Sequence, residues 1–172
     1  MSADELVDVL SDDGGVVRQA TRREVRHGNL LHRSVYILVF NSEGQLFVHQ
    51  RTATKDVYPS HWDVAVGGVL GAGEDPLAGA RRELQEELGV QTDTLRQLFT
   101  FRYQEPHNRV IGVVFSCTWD GPVALQPAEI VRGEWLDLEA VIERSRRDQF
   151  CPDGLEALGT YLAKLEAALD RR

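Results

Sequence analysis

The sequence predicts an α/β protein with a mixed β-sheet packed between helices. Short β-branched and aromatic runs alternate with amphipathic helical stretches. Some strands follow one another through tight turns, as in hairpins, whereas others are separated by a helix, so both antiparallel and parallel neighbours are expected. With 172 residues, 42 % hydrophobic and 27 % charged, the chain suits one soluble domain over residues 1–172 with a sizeable core.

The elements follow in order. Leu6 to Leu10 and Val16 to Ala20 read as short strands around the Asp12-Asp13-Gly14-Gly15 turn. Thr21 to Gly28 reads as a short helix with Thr21 as its cap. Residues 1–30 are thus expected as an N-terminal hairpin and short helix packed on the core. His32 to Phe40 and Gln45 to Arg51 form a hairpin through Asn41-Ser42-Glu43-Gly44, and Trp62 to Gly67 is a further strand running into a glycine-rich loop, Gly67-Gly68-Val69-Leu70-Gly71-Ala72-Gly73. Asp75 can cap a helix whose first turn holds Pro76 and whose end is Gly89. Leu77, Ala80, Leu84 and Leu88 give that helix an apolar stripe. Strands are expected near Gln97–Tyr103, Arg109–Trp119 and Gly133–Leu136. Helices Glu139–Arg146 and Asp153–Leu169 finish the chain, the last with Leu155, Leu158, Leu162, Leu165 and Leu169 on one face.

The helix after the glycine loop carries the chemistry. Glu83, Glu86 and Glu87 fall at i, i+3 and i+4, on one face and off the apolar stripe. Like charges so placed repel, and a hard divalent cation is the natural counterweight to oxygen-rich carboxylates. A glycine loop beside them lets backbone approach a metal or phosphate closely.

Composition narrows the partners. A net charge of −8 argues against a protein that coats nucleic acid, so no nucleic-acid polymer is expected. No apolar stretch reaches the ~20 residues needed to span a bilayer, and the acidic N-terminus does not read as a signal peptide. Cys117 and Cys151 are too few for a disulfide framework, which points to reduced thiols and a cytoplasmic location.

From Gly68 to Val90 the residues match the Nudix box, G-x5-E-x7-R-E-U-x-E-E-x-G-U with U aliphatic, at every defined position: Gly68, Glu74, Arg82, Glu83, Leu84, Glu86, Glu87, Gly89 and Val90. Seven fixed identities would coincide by chance about once in a hundred million starts, so the chain resembles the Nudix superfamily on a specific signal. The resemblance implies an α/β/α sandwich and water attack on phosphorus in a diphosphate. It also implies Mg²⁺, with Mn²⁺ as a substitute, held by Glu83, Glu86 and Glu87 and by the carbonyl of Gly67. The base that deprotonates water is one of these glutamates or Glu129 on a downstream loop, with Glu105 and Glu134 as competitors. Arg82 is expected to orient Glu83 or Glu74, and Glu74 to hold the loop.

A second resemblance, over about residues 4 to 137, is to the isopentenyl-diphosphate isomerase branch of that superfamily. It rests on Leu31-His32-Arg33, on Asn41 to Leu46, and on Arg51 and Lys55 followed by Tyr58-Pro59-Ser60-His61-Trp62. There an arginine and a lysine at this spacing bind diphosphate, which implies the same role for Arg51 and Lys55. The isomerase cysteine and histidine, however, fall at Gly67 and Val69, and the acidic box is intact. The expected function is hydrolysis of a small nucleotide, such as a nucleoside di- or triphosphate, by a monomer or homodimer. The alternatives are a catalytically idle nucleotide-binding module and, behind it, an isomerase. Tyr58, Trp62, Phe101 and Tyr103 are candidate stacking faces for a base.

Overall fold

The computed structural model describes residues 2–171. Its elements are β1 (Leu6–Leu10), β2 (Val16–Thr21), α1 (Arg22–His27), β3 (His32–Phe40), β4 (Leu46–Arg51), β5 (Trp62–Asp63), α2 (Pro76–Leu88), β6 (Arg96–Glu105), β7 (Asn108–Thr118), β8 (Ile130–Leu136), α3 (Leu138–Ser145) and α4 (Pro152–Leu169). β1 and β2 form their own hairpin; the main sheet runs β5-β4-β3-β7-β6, with β8 beside β4. β3 and β7 are parallel and β6 and β7 antiparallel, so the sheet is mixed.

Alternation along β3 makes the layers. Val35, Ile37 and Val39 point into a core shared with Ala80, Leu84 and Leu88 of α2. Tyr36 and Leu38 point the other way, towards Val141 of α3 and Ala157 and Leu158 of α4. Helices therefore cover both faces, as the α/β/α expectation requires. Burying Leu84 and Leu88 completely is worth roughly 1.5–3 kcal/mol each, which docks α2 firmly by its apolar stripe. Asp75 caps α2 by accepting from the amide of Ala78 at 3.0 Å, and Gly89 ends it at φ 66°.

Three strand expectations need correction. The segment Trp62 to Gly67 is a strand only at Trp62–Asp63. The Asp63 carboxylate folds back to accept from the amide of Ala65 at 3.1 Å, and the chain then crosses to lie along β3. There Val35 donates to the carbonyl of Gly68 at 2.9 Å, and Ile37 to that of Val66 at 2.7 Å. The Asn41–Gly44 turn forms, but β3 and β4 pair only at Phe40 and Leu46 before parting. β4 instead pairs with β8 along its length, and β8 starts at Ile130, ahead of the expected Gly133. Residues 66–70 thus lie along β3 where β4 has parted from it.

The N-terminal hairpin braces that loop from outside. Val7, Val9, Ala20 and Val25 pack against Val69. Ala72 donates to the carbonyl of Leu6 at 2.9 Å and Gly73 to the Asp8 carboxylate at 2.8 Å.

Candidate active site

Two loop glycines are required by close approach. A Cβ on Gly67 would lie 2.0 Å from the carbonyl oxygen of Val35, and one on Gly68 would lie 2.7 Å from Oε1 of Glu83. The α2 glutamates thus sit directly against the loop backbone. Among the described residues, no hydrogen bond ends on the carbonyl of Gly67, although both flanking carbonyls, of Val66 and Gly68, are taken by β3.

Glu83 and Glu87 are 7 % and 4 % exposed, whereas the Glu86 side chain is 51 % exposed. Burial raises the carboxyl of Glu83 above its ordinary range and pushes that of Glu87 up to about 7. Arg82, 2.7 Å from Glu83, and Lys55, 3.8 Å from Glu87, only partly oppose that effect of burial.

Arg82 and Glu74 lie in contact with each other and with the acidic face. Arg82 meets Glu74 through Nε at 2.8 Å and Nη2 at 3.1 Å, and its Nη1 reaches Glu83 at 2.7 Å and Glu86 at 3.2 Å. Glu74 also accepts from the amide of Gly71 at 2.8 Å, tying α2 to the loop. The fork from Arg82 holds the Glu74 carboxyl below its ordinary range.

Gly67, Glu83, Glu86, Glu87, Glu129 and Lys55 line one cleft of ≈ 350 Å³, within the range of small-molecule sites. Lys55 pairs with Glu129 through Nζ and Oε2 and lies 3.8 Å from Oε1 of Glu87. Glu105 and Glu134 are not among the residues lining it, and Glu134 is paired with Arg144 at 2.5 Å. Arg51 is placed elsewhere. Its Nη2 donates to the carbonyl of Val57 at 3.1 Å, its Nη1 lies 3.7 Å from Asp63, and it lines a smaller cavity behind the loop.

Among the described residues, no three His, Cys, Asp or Glu side chains enclose a metal unaided. Mg²⁺ takes one or two carboxylates and completes its octahedron with waters and substrate phosphate oxygens. Glu83 and Glu87, with the unbonded carbonyl of Gly67, are the oxygen atoms here that could hold such an ion.

Residues 30–154 match the family model of the NUDIX domain. The chain belongs to the Nudix family. The Nudix hydrolase PA4841 of Pseudomonas aeruginosa is 40 % identical over 158 residues, covering 92 % of this chain and 94 % of that protein. Among solved structures, DR0079 from Deinococcus radiodurans has a TM-score of 0.73 at 29 % identity, covering 87 % of this chain and 94 % of that one. The Nudix domain of Shewanella oneidensis NrtR, solved with ADP ribose, has a TM-score of 0.63 at 17 % identity over 78 % of this chain and 87 % of that one, a likeness of fold. As a Nudix hydrolase, this protein acts on phosphoric anhydride bonds, and enzymes of this family generally use divalent metal ions. No helix among the described residues is long and apolar enough to cross a membrane.

Some residues of the site carried no motif. Arg22 of α1 and Gln126 also line the cleft, and Arg22 pairs with Asp56 at 2.8 Å. Of the candidate stacking faces, Trp62 is covered by Arg144 at 3.7 Å and by Phe150, and Phe101 packs edge-on against Tyr36. Tyr103 is buried with its hydroxyl 3.2 Å from that of Tyr58. Only Tyr58 of the four lines a cavity beside the site.

Proposed function

We propose that this Nudix protein is a Mg²⁺-dependent pyrophosphohydrolase that cleaves the diphosphate linkage of a small nucleotide by water attack on phosphorus. The observation that carries the reading is the convergence of buried Glu83 and Glu87, the unbonded Gly67 carbonyl and Lys55 on one cleft of ≈ 350 Å³. The ADP ribose bound by the NrtR Nudix domain supports a nucleotide as substrate.

Glu83, Glu87 and the Gly67 carbonyl would hold the cation, with Glu86 completing the acidic face. When bound, Mg²⁺ supplies Lewis acidity towards the phosphate oxygens and a more acidic water. Arg82, fastened to Glu74, keeps Glu83 turned to the cleft. Lys55 grips a phosphate oxygen, leaving its partner Glu129 free to take the proton of the attacking water at Oε2. The chain works as a soluble cytoplasmic enzyme, monomer or homodimer.

The test is incubation with a nucleotide panel and Mg²⁺, following phosphate, pyrophosphate and nucleoside monophosphate, with a chelated control. Metal-dependent release of a monophosphate is the expected result. Saturable nucleotide binding with no product from any member would replace the hydrolase with an idle binding module.

A further inference from the structure

Behind Gly67 and Gly68 lies a second cavity, of ≈ 60 Å³, that the hydrolytic chemistry leaves unused. Gly67, Gly68 and Val69 line both spaces, so the cavity adjoins the cleft. Its other walls include Arg26, Arg51, Tyr58, Asp63, Asn108 and Asp153. Three of these polar side chains are almost sealed from solvent, with Asn108 at 4 %, Asp63 at 6 % and Asp153 at 7 % exposure.

Most of these groups are fixed by one another. Arg26 Nη1 donates to Asn108 at 3.2 Å, and Asn108 Nδ2 donates to Asp153 at 2.9 Å. Tyr36 donates its hydroxyl to Asp153 at 2.8 Å. Two buried donors are left over. Arg26 Nε and Arg51 Nε have no partner, while the Asp63 carboxylate accepts from the amide of Ala65, meets the Cys151 thiol and lies 3.7 Å from Arg51, with lone pairs to spare. Buried donors are costly to leave unmet, so such a frame is built for something that meets them. Tyr58, on the cavity wall, holds a φ of 51°, a region non-glycine residues seldom occupy and one that recurs where structure serves binding.

The charges say what the frame accepts. Two arginines balance two aspartates, so an anion would face Asp63 and Asp153 and a cation would face Arg26 and Arg51. The volume holds a few waters or the edge of a ring rather than a whole nucleoside. We propose that this cavity reads the non-phosphate part of the substrate. Asp63 accepts from, and the spare arginine Nε atoms donate to, an uncharged group carrying both a donor and an acceptor. The amide edge of a heterocyclic base and the diol of a sugar share that chemistry. The proposal rests on the hydrolase reading of the adjoining cleft and adds the class of head group to it. A hydrocarbon head leaves the same groups unmet and is selected against.

The experiment uses the full chain with Mg²⁺ and nucleoside diphosphates of four bases, ribose 5-diphosphate and a simple alkyl diphosphate. Asp63→Asn exchanges an acceptor for a mixed donor and acceptor at constant shape. It should lower kcat/KM at least tenfold for substrates whose head fills the cavity, with alkyl diphosphate unchanged within twofold. Arg26→Met removes one spare donor and should move the same ratio should Asp63→Asn fail to fold. Loss extending to ribose 5-diphosphate identifies the sugar diol, and loss confined to particular bases identifies the base edge. An equal change for every substrate, or none, in folded variants overturns the proposal. Calorimetric Kd values for the same panel in a Glu83→Gln background separate the two readings. A head-group pattern in Kd that Asp63→Asn erases upholds the cavity even where nothing is hydrolysed, and a flat pattern rejects it.

Discussion

The guanidinium of Arg82 grips the carboxylate of Glu74 with two near-parallel hydrogen bonds, Nε to Oε1 at 2.8 Å and Nη2 to Oε2 at 3.1 Å. This fork spends Arg82 on the protein and leaves one nitrogen to aim Glu83. Arg82→Lys keeps the charge but loses the fork. We expect kcat to fall about tenfold or more, with KM little changed, and stability to fall by roughly 1–3 kcal/mol in urea titrations. Wild-type kcat in Arg82→Lys would show that the fork is dispensable.

Glu83→Gln and Glu87→Gln should each lower kcat at saturating substrate by at least about tenfold while preserving the far-UV circular dichroism spectrum, since each removes a charge meant for the cation. Near-normal turnover in both would remove them from the site.

Glu87 also gives a pH dependence with a definite sign. Its folded-state pKa is raised to about 7 from an ordinary 4.5, chiefly by burial. The folded protein therefore binds this proton more readily than the unfolded chain. The resulting stabilisation is complete below pH 4.5 and is lost as pH rises through 7. In chelator, Glu87→Gln should be more stable than wild type at pH 8, by roughly 1–3 kcal/mol, with the gap closing by pH 4. Urea midpoints at the two pH values check this, and a gap that widens towards acid contradicts it.

The two loop glycines should fail differently. An alanine Cβ at 67 meets backbone, the Val35 carbonyl, so Gly67→Ala should cost about 3 kcal/mol or more of folding stability. At 68 the clash is with the end of the Glu83 side chain, which can swing aside. Gly68→Ala should fold, with a thermal midpoint near wild type, yet bind Mg²⁺ at least about tenfold more weakly by calorimetry. Equal stability losses in the two variants would refute this division.

Lys55 and Glu129 should separate by kinetic constant. Lys55→Met removes the proposed phosphate contact and should mainly raise KM. Glu129→Gln removes the proposed base and should lower kcat by about 10²-fold or more while flattening the acid limb of the pH–rate profile. An unaltered profile assigns the base to another glutamate.

How legible each part was in the sequence follows from how local its causes are. The bounds of α2 rest on Asp75, Pro76 and Gly89, residues within or beside the helix, and the structure keeps all three in their roles. The bracing by Arg82 is likewise local, with partners one, four and eight residues away. β5 was overextended because the bonds that draw residues 64–70 onto β3 come from Val35 and Ile37, some thirty positions upstream. The isomerase-branch resemblance pairs Arg51 with Lys55, but the direction of Arg51 is set by Asp63 and Val57. A signal was present: Asp63 stands among Trp62, Val64, Ala65 and Val66, and an acid in an apolar run needs a buried partner. The link from Asn108 to Asp153 spans 45 residues and had no signal of that kind.

The amides of Val35 and Ile37 are satisfied by the carbonyls of Gly68 and Val66, in and just before the glycine loop, rather than by a neighbouring strand. Hydrogen exchange at those two amides therefore gauges whether the catalytic backbone is seated, and their protection should vanish only when the centre of the protein melts. Unseating that loop would strip β3 of these bonds, so the site and the middle of the sheet are expected to be lost together.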